Sequence, residues 1–108
     1  MDDKIIRTVI AGLGLPDPYA TLTARLIDPD HHIMLIDEAR ECLPVDAKSS
    51  IYHYMYLLRK HYKKSFEKPP TIITHSKVGW SMHLDDKLRV LKLIRSRTGS
   101  VIYGKDAA

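Results

Sequence analysis

Cysteine occurs once, at Cys42, so no internal disulfide is available and nothing points to an oxidising compartment. No apolar run approaches the roughly 20 residues of a membrane span, and residues 1–30 hold no basic-then-apolar leader pattern. These absences predict a protein of the cytoplasm with no membrane partner. Repeats and low-complexity tracts are also missing, and 108 residues suit a single domain. With 44% hydrophobic and 28% charged residues, the chain has enough apolar material for a core, which excludes a disordered protein.

The most informative absence is local. No carboxylate occurs between Asp46 and Glu67, whereas residues 1–46 carry nine acids against four Lys/Arg. Residues 47–108 reverse the balance, with thirteen Lys/Arg against four acids. A net charge of +4 therefore hides an acidic first half and a strongly basic second half. Such asymmetry points to a polyanionic partner for the second half, with nucleic acid ahead of an acidic membrane surface.

Apolar spacing supplies the elements. Ile5, Ile6, Val9, Ile10 and Leu13 share one helical face, which predicts a helix over 3–13 that starts near Asp2-Asp3 and stops at Gly12, Gly14 and Pro16. Gly12-Leu13-Gly14 lacks the Gly-Lys-Ser/Thr of a phosphate loop and reads as a terminator. Asp17 as N-cap and Pro18 at the first helical position open a second helix, with Tyr19, Leu22 and Leu26 inward and Asp28-Pro29-Asp30 as the closing turn. Ile33 to Ile36 reads as a brief extended entry into a third helix, Ile36 to Leu43, stopped by Pro44.

The stretch from Asp46 to Lys64 is the most legible. Ile51, Met55, Leu58 and Tyr62 mark a buried face, and Ser49, His53, Tyr56, Leu57, Lys60 and Lys64 an outward one. A β-hairpin over 71–84 follows, pairing Thr71–Thr74 with Trp80–Leu84 across a His75–Gly79 turn. Trp80, the lone tryptophan, is expected in the core, the rival being an exposed ring that inserts into DNA. A last helix over 85–97 begins at Asp85-Asp86 and ends at Gly99, and its apolar residues cover more than one packing face.

Chemistry-bearing residues are scattered. Six histidines include no i, i+4 pair and no Cys/His set of zinc type, so no metal is expected. Asp37, Glu38 and Glu41 cluster without an assignable nucleophile, and Cys42 sits on an apolar helix face as a small hydrophobe. The sequence predicts no enzyme and no cofactor.

Ser50-Ile51, Met55, Leu58-Arg59-Lys60 and Thr74…Gly79-Trp80 together resemble the winged helix-turn-helix output domain of the OmpR/PhoB family of response regulators. The likeness is carried by 45–82 and extends more weakly upstream to Tyr19. It implies a mainly α winged helix with a small β-hairpin and a core over 17–84; the helices read at 3–13 and 85–97 lie outside the resembling segment and are extra to it. Departures are specific. An Ile-rich helix stands in place of the small N-terminal sheet, and no receiver domain is present. Ser49, Tyr56 and Leu57 stand where arginines are common, Lys77 where the hairpin glycine falls, and Leu35 where a capping Ser or Thr is usual.

Groove chemistry gives the same expectation by a separate route. A major groove about 12 Å wide admits one α-helix, here 47–64. Ser49, Ser50, His53 and Tyr56 can exchange hydrogen bonds with base edges, and Leu57 can meet a thymine methyl. Lys48, Arg59, Lys60, Lys63 and Lys64 can neutralise phosphates, while His75, Ser76 and Lys77 form a hairpin tip for the minor groove or backbone. The expected function is sequence-specific double-stranded DNA binding by a transcriptional regulator associated with the nucleoid, working as a homodimer through its terminal helices. The alternatives are an architectural, excisionase-like recombination factor and a protein–protein module that uses the tyrosine-rich helix.

Overall fold

A computed structural model describes residues 2–104. Helix α1 (Asp3–Leu13) is capped by the Asp2 carboxylate, which accepts from the Lys4 amide at 2.8 Å. It ends at Gly14, whose φ of 69° lets its N–H reach the Ile10 carbonyl. Gly12 is the last-turn residue that meets α5 (Leu84–Thr98): a Cβ there would lie 3.2 Å from the Ile94 side chain.

Helix α2 (Tyr19–Leu26) starts one residue later than expected. Pro18, at φ −83° and ψ 2°, precedes the helix instead of occupying its first position, and the Asp17–Pro18 peptide is cis. Asp17 still serves the first turn, accepting from the Thr21 hydroxyl at 2.7 Å and more weakly from its amide. Ala20, Leu22, Thr23, Ala24 and Leu26 are buried, and Tyr19 is half-buried.

Strand β1 (Met34–Leu35) turns directly into α3 (Ile36–Glu41), which is shorter than its expected run to Leu43 because Cys42 already closes it. Leu35 has no capping hydroxyl, but Glu38 reaches back to its amide, supplying half of a capping box. Buried Lys87 from α5 holds the loop before β1, donating to the carbonyls of Asp28 (2.8 Å) and His31 (2.6 Å).

The long helix expected from residue 47 is divided. Val45–Ser50 forms a 3-10 helix, and α4 runs over Ile51–Ser65. No side chain of 45–50 is buried, and Val45 is 86% exposed, so packing does not enforce α geometry on an Asp- and Ser-containing stretch of weak propensity. Within α4 the buried residues are Ile51, Met55, Leu58 and Tyr62, the set the spacing predicts.

Strands β2 (Ile72–His75) and β3 (Gly79–Met82) form the hairpin, and β1 adds to its other side, giving a three-stranded antiparallel sheet in the order β1-β3-β2. Met34 pairs with Trp80 and Leu35 with Gly79. Gly79 is required there, since a Cβ would collide with the Met34 carbonyl oxygen. The extended run expected at 33–36 thus forms a third strand, whose pairing two residues are too few to signal by alternation. Trp80 is 2% exposed and belongs to the core, as expected.

Leu84 opens α5 instead of closing β3, with His83 at the cap position and Asp85 and Asp86 in the first turn. Val90, Leu91 and Ile94 are buried, and the Arg97 guanidinium donates to the Gly12 carbonyl at 2.9 Å. α1 and α5 pack on each other within one chain, burying Val9, Leu13, Val90, Leu91 and Ile94, while Ile10, Leu84 and Leu88 stay exposed. This packing accounts for part of the apolar surface that suggested a dimer through the terminal helices. Tyr103 returns the chain to α2 by donating to the Ala24 carbonyl. Among the described residues no helix is long and apolar enough to cross a membrane.

Candidate nucleic-acid interface

With one side of α4 committed to the core, the opposite side is presented outward. His53, Tyr56, Lys60, Lys63 and Lys64 are exposed on it, and Leu57 is half-buried. The Tyr56 ring organises the middle of this face. His53 lies nearly parallel to it at 6.3 Å, and the Lys60 ammonium sits over it at 4.7 Å from the ring centroid. Lys63 and Lys64 occupy the last turn, where the helix dipole already favours cations. No carboxylate is contributed by α4 itself.

Several expected contact residues are placed differently. Lys48, Ser49 and Ser50 lie on the 3-10 helix before α4 and not on α4 itself, and Lys48 is half-buried. Arg59 turns sideways: its guanidinium donates to Thr74 Oγ1 (2.8 Å) and to the Ile72 carbonyl (3.1 Å). It joins α4 to the edge strand β2 instead of reaching outward. His75 is not at the hairpin tip; it sits in β2 with a ring nitrogen 2.7 Å from Ser81 Oγ on β3. The exposed tip is Ser76, Lys77 and Val78, with Lys77 in the left-handed region at φ 64°.

Sequence reasoning passed over Tyr52. It is 56% exposed, one turn before Tyr56, with its ring edge-on to Trp80 at 5.5 Å. The i, i+4, i+8 series Tyr52, Tyr56, Lys60 was the available signal. On the other flank, Tyr54 and His61 pack against Tyr19 of α2, at 6.0 and 4.4 Å between rings. Behind the face, the Tyr62 hydroxyl bonds Thr23 Oγ1 at 2.7 Å in the core, and burial pushes the Tyr62 phenol far above its ordinary range. α4 is thereby fixed to α2 on one flank and to the sheet on the other.

Histidine and cysteine carry local contacts. His31 bonds Glu38 at 2.8 Å, within a network in which Arg25 also approaches Glu38 and Glu41. Burial raises the Cys42 thiol despite the opposing influence of Arg25, and the thiol points at the Glu38 carbonyl, so it is held in its unreactive protonated form. Among the described residues no group of three or more His, Cys, Asp or Glu side chains could hold a metal ion. Comparison with protein-family models, with curated proteins and with solved structures finds no match to this chain.

Proposed function

We propose that this chain is a sequence-specific double-stranded DNA-binding protein of winged-helix type, acting as a transcriptional regulator, with α4 in the major groove and the β2–β3 hairpin as the wing. One observation carries the reading: the helix whose inner side is locked by Ile51, Met55, Leu58 and Tyr62 turns outward a face of His, Tyr and Lys with no acid of its own. The order α2, β1, α3, α4, β2, β3, with β3 central in the sheet, supports it, because a helix pair followed by a hairpin is the arrangement that a winged helix requires.

In this reading His53 and Tyr56 face base edges, and Lys60, Lys63 and Lys64 face phosphates. Ser76 and Lys77 extend the contact from the hairpin tip, while Ser49 and Ser50 enter from the turn before α4. Arg59 and His75 hold the wing in place. A cytoplasmic, nucleoid-associated location follows from DNA as the partner. Selecting bound duplexes from a random pool tests the function: enrichment of one motif supports a regulator, and sequence-independent retention with DNA bending supports an architectural factor.

A protein-docking role for the same helix is the second reading, favoured by the exposed rings of Tyr52 and Tyr56. Salt separates the two. Phosphate contacts lose affinity steeply as salt rises, and an apolar interface does not.

A further inference from the structure

A basic groove lies outside α4, between α5 and the loop that follows α4. Its volume is about 420 Å3, within the ~300–1,000 Å3 span of small-molecule sites. Phe66 and Leu93 supply apolar walls, and Lys68, Arg89, Lys92 and Arg97 surround them. Glu67 is the one carboxylate of the lining. Arg89, Leu93 and Arg97 recur at i, i+4 and i+8 along α5, so the groove has a guanidinium towards each end and a leucine between, over roughly 12 Å of helix.

Both guanidiniums are already oriented. Arg89 donates to the Lys68 carbonyl at 2.6 Å and pairs with Asp86 at 3.1 Å; Arg97 is held by the Gly12 carbonyl at 2.9 Å. A guanidinium has five N–H donors, so each keeps unused ones, and a pinned donor loses little freedom when an anion arrives. The ammonium groups of Lys68 and Lys92 form no ion pair among the described residues.

We propose that this groove binds an amphipathic organic carboxylate, its aliphatic body along Leu93 and Phe66 and its carboxylate among the cations. A fully hydrophilic anion leaves the apolar walls wet, and a neutral or cationic amphiphile leaves the cations unmatched. Charge complementarity therefore commits the site to this class. Phe66 is also the residue that closes α4, and its ring meets Tyr62 edge-on at 5.4 Å, so an occupant touches the end of that helix. The proposal does not depend on DNA binding.

The test is a titration of the isotope-labelled protein with sodium decanoate, followed by amide chemical shifts, with decyltrimethylammonium as the tail-matched cation. Saturable shifts confined to 66–68 and 89–97, given by decanoate and not by the cation, support the site. The double variant Lys68→Glu/Lys92→Glu changes two exposed side chains and should weaken decanoate by about tenfold or more, the scale of a charge-assisted contact. Equal shifts from both amphiphiles, shifts centred elsewhere, or undiminished affinity in a folded double variant would overturn it. Thermal melts of the variant establish folding independently. Loss or retention of DNA binding in the same samples bears only on the function proposed for α4.

Discussion

Arg59 reaches from α4 to Thr74 on β2, its guanidinium 2.8 Å from the threonine hydroxyl and 3.1 Å from the Ile72 carbonyl. The edge strand of the sheet is thus fastened to the helix beside it by one side chain, which also satisfies an edge carbonyl that could otherwise recruit another strand. A residue that sequence spacing assigns to phosphate contact is used to position the hairpin. Arg59→Ala should cost about 1–3 kcal/mol in denaturant unfolding, the usual scale for charged hydrogen bonds. It should also accelerate amide exchange in β2. Unaltered β2 exchange with only a lower DNA affinity would return Arg59 to the phosphate-contact group.

Among the described residues Lys60 and Lys64 have no such structural task; both are exposed on the outward side of α4, and Lys60 rests on Tyr56. Lys60→Ala/Lys64→Ala should leave the melting temperature nearly unchanged and weaken binding to all duplexes alike. The slope of log affinity against log salt should fall by about one for each lost phosphate contact. His53→Ala should instead alter preference among sites, by about 1–3 kcal/mol for a lost base contact. Filter binding across a salt series decides both. An unchanged slope in the double lysine variant removes α4 from the interface.

Asp86 predicts an acid dependence of stability. Burial pushes its carboxyl upward, but the Thr71 N–H, Arg89 and His83 together outweigh this and hold the group below the ordinary carboxylate range. A carboxyl with a depressed folded pKa contributes stability that is fully present above its unfolded value, near pH 4. That contribution is lost as pH falls through the lower folded value. Asp86→Asn should therefore be less stable than the parent at pH 6, and the difference should shrink below pH 4. Urea titrations at pH 6, 4 and 2.5 measure it; a gap that stays constant would remove Asp86 as a source of acid sensitivity.

Legibility in the sequence followed the strength of periodic burial. The inner face of α4 could be read residue by residue because Ile51, Met55, Leu58 and Tyr62 repeat over three turns and are all buried. The extended run containing β1 could be read, but not its place in the sheet, since its partners Trp80 and Gly79 lie far along the chain. The break at Ser50 was hidden for a related reason: the mostly polar run 46–50, with Ala47 alone apolar, suits the outside of an α-helix as well as a 3-10 turn. Individual roles were hardest to read on long polar side chains. Arg59, His75 and Lys87 all find partners at least six residues away, and the bonding partner decides whether such a side chain holds the fold or faces a ligand.

The terminal helices bear on stoichiometry. Apolar excess in α1 and α5 suggests a dimer when each helix is viewed alone, yet Gly12 lies against Ile94 so closely that an added Cβ would sit 3.2–3.3 Å from it. The free protein should therefore scatter light as a monomer near its chain mass of 12.4 kDa, and pairing on DNA, if the selected site is a palindrome, should use another surface. Gly12→Leu is the discriminating variant. Where the two helices pack within one chain, the added side chain must push α1 off α5, costing about 1–3 kcal/mol, as overpacked cores typically do. It should also expose Val90 and Ile94 to solvent exchange. A parent protein that scatters as a dimer at micromolar concentration, and becomes a folded monomer on Gly12→Leu, would place that contact between chains instead.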